Sequence, residues 1–190
     1  ASFGIDVGTN NSGKKSVVDI QRNTIGNPNQ DGKFGRAIRV YRAEGIVANN
    51  NSTGTYAFNA IQYAPTANLV VENNTFFGSA SMVNSATTAM DKELHIKNNA
   101  FKPIQENAAR LSFYGLQVRE NRSPVLVDNN TFEDYDRYSV FLASSSNISV
   151  ENNTFTPLAN AENYTHIAWN SKSETNGSIA SVVRKASYQN

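Results

Sequence analysis

Four side chains suited to proton transfer or cation binding fall at related places in this sequence: Glu72 in "LVVENNTF", Lys97 and His95 in "LHIKNNAF", and Asp128 in "VLVDNNTF". An amine and an imidazole take up and release protons, and a pair of carboxylates can hold a cation or orient a base. A second set comprises Arg39, Tyr41 and Arg42 in "GRAIRVYRAEG" and Arg119 and Arg122 in "LQVRENRSP". Arginine grips a carboxylate through two parallel hydrogen bonds and tyrosine stacks on sugar rings, so an acidic polysaccharide is the natural guest. A third set, "EDYDRY" from Glu133 to Tyr138, offers acids and tyrosines to calcium or a sugar in what reads as a loop after a repeat. Each set has a plainer alternative. The first can be a ladder of exposed charge pairs contributing about 0.2–1 kcal/mol each, the second the solvated face of a strand, the third a connecting turn.

What must position these groups is an internal repeat. Leu69 to Phe76, Leu94 to Phe101, Val125 to Phe132 and Ile148 to Phe155 are near copies, and Val18 to Ile25 and Ile46 to Thr53 are looser ones, the latter without the Phe. Their starting positions are about 23 to about 31 residues apart, within the range of solenoid repeats. Apolar residues alternate with polar ones inside each copy, the period of a strand with one buried face. Shorter alternating pieces precede the copies: Ile38-x-Val40, Ile61-x-Tyr63, Leu116-x-Val118 and Val140-x-Leu142. The pattern predicts two strands, a tight turn and a longer loop per repeat. The one helix-compatible stretch of note is Ile104 to Leu111.

Repeats too short to bury a face alone must stack, about 4.8 Å apart. The expectation is that the first Asn of each pair points inward and bonds its neighbour, in a ladder of Asn50, Asn73, Asn98, Asn129 and Asn152, while the second takes the left-handed turn. Phe76, Phe101, Phe132 and Phe155 are expected to stack inside. Outward residues then form one row of Gln21, Asn49, Glu72, Lys97, Asp128 and Glu151, with Asp19 and His95 in a neighbouring row.

Composition narrows the partners. The 190 residues carry a net charge of +1, so no overall field points to nucleic acid. No apolar run approaches the roughly 20 residues of a membrane span. Cysteine is absent, which excludes disulfides and thiolate chemistry but leaves the compartment open. No signal peptide is visible at Ala1, so the chain reads as mature, cytosolic or excised. Abundant asparagine with little methionine suits an extracellular β-rich protein.

The repeated apolar-x-apolar-x-Asn-Asn-Thr-Phe signature resembles the right-handed parallel β-helix, or pectin lyase-like, superfamily, from about Val18 to Phe155. The resemblance implies an all-β right-handed parallel β-helix of about seven coils, a single domain over 1–190 or a piece of a longer chain. It also implies a surface or extracellular location and sites on the outer face of a parallel sheet beside long loops. A lyase of this kind needs a cation to neutralise the uronate and a base to abstract a proton. Lys97 with His95 can serve as base and partner, and Glu72 with Asp128 as calcium ligands or orienting groups. Arg39, Tyr41, Arg42, Arg119 and Arg122 would bind the polysaccharide.

The superfamily also holds phage tailspikes, adhesins and stalks, so a structural solenoid is the alternative. The signature motifs of polygalacturonases, mannuronan epimerases and pectate lyases are absent. His166, beside Trp169 on an expected strand, reads as a packing residue. The sequons at Asn73, Asn129 and Asn152 coincide with the expected inward ladder and so read as structural. Neither end shows an amphipathic cap, so covering by further sequence, by neighbouring chains or by end-to-end stacking is expected.

Overall fold

Leu94-His95-Ile96-Lys97 alternates apolar and polar residues, and an extended segment of that pattern buries one face and wets the other. In the computed structural model its burial alternates accordingly. The structure describes residues 2–8, 16–26, 34–41, 43–53, 59–64, 68–77, 80–83, 93–103, 114–119, 124–135, 137–143, 145, 147–162, 164–170 and 183–187. Among them every regular element is a strand. Ile104 to Leu111 lies outside the described residues.

The strands follow one another around a coil. They run β1 (Ser2–Gly8), β2 (Ser16–Gln21), β3 (Thr24–Gly26), then β4 (Phe34–Tyr41), β5 (Ala43–Ala48), β6 (Asn51–Thr53), then β7 (Asn59–Ala64), β8 (Leu69–Glu72), β9 (Thr75–Phe77). The winding continues through β10 (Ala80–Val83), β11 (Leu94–Lys97), β12 (Ala100–Lys102), β13 (Tyr114–Arg119), β14 (Val125–Asp128) and β15 (Thr131–Tyr135). It ends with β16 (Tyr138–Ala143), β17 (Ile148–Pro157), β18 (Thr165–Asn170) and β19 (Val183–Ser187).

One sheet has seven parallel strands in the order β1-β4-β7-β10-β13-β16-β18. The other runs β2-β5-β8-β11-β14-β17 and returns through β15-β12-β9-β6-β3, because β17 passes unbroken through the corner that separates the two halves elsewhere. Each winding therefore has three faces where two strands per repeat were expected. The third strand escapes a periodicity search because a piece as short as Thr75–Phe77 buries a single side chain.

The interior is built from rows of like residues in register. Leu69, Leu94, Val125 and Ile148 form one, Val47, Val71, Ile96, Val127 and Val150 the next. Ile38, Leu116 and Val140 line the facing sheet, as their alternation predicts. Phe76, Phe101, Phe132 and Phe155 stack as expected, with ring centroids 5.6, 4.7 and 5.4 Å apart. Each buried ring contributes roughly 1.5–3 kcal/mol. Gly115 makes room for this stack: a Cβ there would lie 2.7 Å from Phe132 Cδ1 and 2.8 Å from Tyr135 Cε2.

The asparagine ladder exists, but it belongs to the second Asn of each pair, a correction to the expected order. Asn49, Asn73, Asn98, Asn129 and Asn152 are exposed and hold φ between 52° and 57°. This left-handed step reverses the facing of the chain, so that Asn50, Asn74, Asn99, Asn130 and Asn153 enter the core. Each of the inner residues up to Asn130 donates its backbone N–H and its Nδ2 to Oδ1 of the next, at 2.8 to 3.0 Å, and Asn23 donates likewise to Asn50 at 3.1 and 2.9 Å. The Nδ2 groups of Asn50, Asn74, Asn99, Asn130 and Asn153 also reach a carbonyl of the preceding coil, such as Val71 O for Asn99. Of the expected members only Asn50 is in the ladder. The sequon asparagines Asn73, Asn129 and Asn152 accordingly lie outside rather than inside.

Asn50 fits because its copy of the repeat begins one residue earlier than its apolar pattern suggests. Gly45, not Ile46, pairs with Leu69, so Ala48 rather than Asn49 joins Gln21 and Glu72 in the outer row. Gly45 has φ +126°, and a Cβ would sit 2.0 Å from the Val18 carbonyl oxygen, which is why no apolar residue marks the start. Ser52 occupies the Phe position. Of the about seven coils expected, about four, beginning at Leu69, Leu94, Val125 and Ile148, carry the complete Asn-Asn and Phe pattern.

Candidate functional site

A two-residue Asn turn separates the halves of the larger sheet. Arg39 points outward from the seven-stranded sheet in a register row with Gln62, Ser81, Gln117 and Phe141. Tyr41 and Arg119 stand two residues further along β4 and β13, on the same outer face and three strands apart, about 14 Å. Arg119 is exposed. The Arg39 guanidinium already holds a carboxylate: Nε and Nη2 donate to Oδ1 and Oδ2 of Asp6, both at 2.7 Å. Arg42 and Arg122 lie outside the described residues.

Lys97, His95, Glu72 and Asp128 occupy a different face, the outside of the β8–β11–β14 sheet. Lys97 Nζ lies 2.9 Å from Glu72 Oε2 across neighbouring coils. Asp128 pairs in register with Lys97 on the other side, and its Oδ1 accepts from Asn152 Nδ2 at 2.9 Å. Glu72 is thus turned to Lys97 and Asp128 to Asn152. Among the described residues no group of three or more His, Cys, Asp and Glu is placed to hold a metal ion. His95 stands between Val70 and Leu126, and its Nε2 is buried without a hydrogen-bond partner. The structure therefore brings Lys97 beside His95 and Arg39 with Tyr41 and Arg119, and puts the two groups on separate faces.

Within "EDYDRY", Glu133 to Tyr135 end one strand and Tyr138 starts the next, where a loop was expected. Glu133 bridges to Lys102 at 3.0 Å, Asp134 takes φ 59°, and Tyr135 is fully buried, its phenol held well above the usual range by burial and then by Glu133 and Tyr164. Asp136 lies outside the described residues, and Tyr138 joins the outer face of the seven-stranded sheet.

Two groupings went unforeseen. Phe141 stacks between Tyr114, at 6.3 Å, and Tyr138, at 5.5 Å, on that outer face. The signal for it was available, since Phe141 alternates with inward Val140 and Leu142. The second grouping closes the Phe stack: His166 lies 5.3 Å from Phe155, its Nδ1 meets Tyr164 Oη at 3.2 Å, and Tyr164 hydrogen-bonds Ser139. Burial lowers the His166 pKa and raises that of Tyr164.

Parallel strands wound into three faces around stacked asparagine and phenylalanine define a β-solenoid. The chain belongs to the right-handed β-helix family, whose description "Right handed beta helix region" matches residues 2–179. No curated protein and no solved structure that was compared matches it. No helix among the described residues is long and apolar enough to cross a membrane.

Proposed function

We propose that this β-helix acts on an acidic polysaccharide at a cell or virion surface or outside the cell, binding it across the outer face of the seven-stranded sheet. The observation that carries the proposal is the bidentate grip of Arg39 on Asp6, on a face shared with Tyr41 and Arg119. A guanidinium fork set to hold one carboxylate supplies the geometry that a uronate requires.

A lyase version binds the polymer instead on the outside of the β8–β11–β14 sheet and places proton abstraction on Lys97 with His95 beside it. It requires Lys97 to leave Glu72 as the uronate arrives, with Glu72 and Asp128 orienting it or holding calcium. The test is incubation with pectate, alginate, hyaluronan and chondroitin, with and without calcium, following ultraviolet absorbance of unsaturated uronates, reducing ends and binding. Cleavage lost in Lys97→Ala establishes the lyase. Binding without cleavage leaves a glycan-binding domain, and neither with any polymer overturns the proposal.

A second reading, a structural solenoid for length and display, is favoured by one observation. All three ion pairs among the described residues, Arg39–Asp6, Lys97–Glu72 and Lys102–Glu133, tie one coil to the next. Self-association in sedimentation, with no binding to the polymers, supports that reading.

A further inference from the structure

The aromatic group on the outer face has a shape that the rest of the sheet lacks. Tyr114, Phe141 and Tyr138 stack with interplanar angles of 21° and 24° on adjacent strands. Gln117, the outward register partner of Phe141, is only 8% exposed. The stack then stops. In β18 the register partners of Tyr138 and Phe141 are Thr165 and Ala168, too small to carry the rings onward. A step remains, with aromatic rings as its wall and small side chains as its floor.

β13, β16 and β18 contain no Asp or Glu, and exposed Arg119 ends β13. Arg119 lies near enough to Tyr114 to act on its phenol, partly offsetting the upward pull of burial. The C–H face of a pyranose stacks on aromatic carbon, and a carboxylate on that ring seeks a guanidinium.

We propose that Tyr138 and Phe141 form a subsite for one uronic acid residue, with the sugar ring against the aromatic wall over Ala168 and Thr165 and its carboxylate directed to Arg119. The subsite rests on the polysaccharide reading above and assigns it to the C-terminal half of the sheet.

The test is calorimetric titration of the whole chain with hexamers of galacturonate, of alternating mannuronate and guluronate, and of neutral glucose. Phe141→Leu keeps apolar volume but removes the ring face, and Tyr138→Ala removes the second ring. Circular dichroism and melting temperature verify that both variants fold. The expected result is about tenfold weaker binding of the preferred uronide in either variant. Arg119→Ala is expected to erase the preference for uronide over glucan while leaving neutral binding in place. If the wild type binds neither uronide the subsite falls, and the polysaccharide reading falls with it when pectate, alginate, hyaluronan and chondroitin are not bound either. If the wild type binds but all three folded variants match it within about twofold, the subsite is overturned and the broader reading stands.

Discussion

Asn74 donates both its backbone N–H, at 3.0 Å, and its Nδ2, at 2.9 Å, to a single oxygen, Oδ1 of Asn99 on the next coil. Asn99 repeats the arrangement toward Asn130 and also bonds the carbonyls of Val71 and Lys97. Replacing Asn99 by leucine strips several buried groups of partners at once, each worth about 1–3 kcal/mol when orphaned. Asn99→Leu is therefore expected to lose at least about 3 kcal/mol in urea unfolding, and a loss below about 0.5 kcal/mol would contradict the inward ladder.

Asn98 answers to backbone conformation instead. It is exposed with φ 55°, where glycine is at ease and a β-branched residue is strained. Asn98→Gly is expected to stay within about 0.5 kcal/mol of the parent, while Asn98→Val loses about 1–2 kcal/mol. Equal stabilities for the two variants would show that the turn does not depend on the left-handed residue.

Gly115 is set by a neighbour's bulk rather than by its own dihedral. A methyl group there meets Phe132, Tyr135 and the Ser139 carbonyl oxygen, all within 2.9 Å, and none of these is the free end of a flexible side chain. Gly115→Ala is expected to destabilise by about 1–3 kcal/mol, as overpacking does. An unchanged denaturation midpoint would mean that the Phe stack yields more readily than its register suggests.

His166 makes the last part of the core sensitive to acid. Burial lowers its folded pKa below the unfolded value of about 6.5. Above that pH the residue is neutral in both states and its contribution is complete. As the pH falls past it, the unfolded chain binds a proton that the native chain resists, so stability declines until the folded pKa is passed. Melting temperature is expected to fall between neutral pH and pH ~5, and less steeply in His166→Phe, which keeps a ring against Phe155. Parallel pH profiles for the two proteins would remove His166 as the cause.

Lys97→Ala is expected to fold normally. Its bridge to Glu72 is partly exposed, and such pairs contribute about 0.2–1 kcal/mol. A collapsed circular dichroism spectrum would show that Lys97 supports the fold.

The strands of the copies from Leu69 onward were legible because a half-buried strand alternates strictly, and the Phe stack because one apolar residue recurs at a fixed offset. The choice between the two asparagines was legible too. Counting back two from Phe76 along one strand face reaches Asn74, not Asn73, and the ladder follows the face of the Phe. What the pattern cannot carry is the angle between faces. Lys97 and Arg39 are both outward residues of strands, and only the corner between the sheets separates them. Gly45 hid the start of its coil because a backbone at φ +126° leaves no side chain to read.

The amide-to-amide bonds of the inner asparagines all point one way, from each coil to the following one, while the same Nδ2 groups also reach back to carbonyls of the preceding coil. Along the amide ladder a winding is therefore a directional unit, its donors turned to the following coil and its Oδ1 to the preceding one. A duplicated winding inserted between any two of its kind would meet an acceptor ahead and donors behind, with no amide left over, whatever the length of the loop it brought along. The molecule can lengthen by copying itself, and its vocabulary of near-identical Asn-Asn turns joined by unequal loops is what such growth leaves behind.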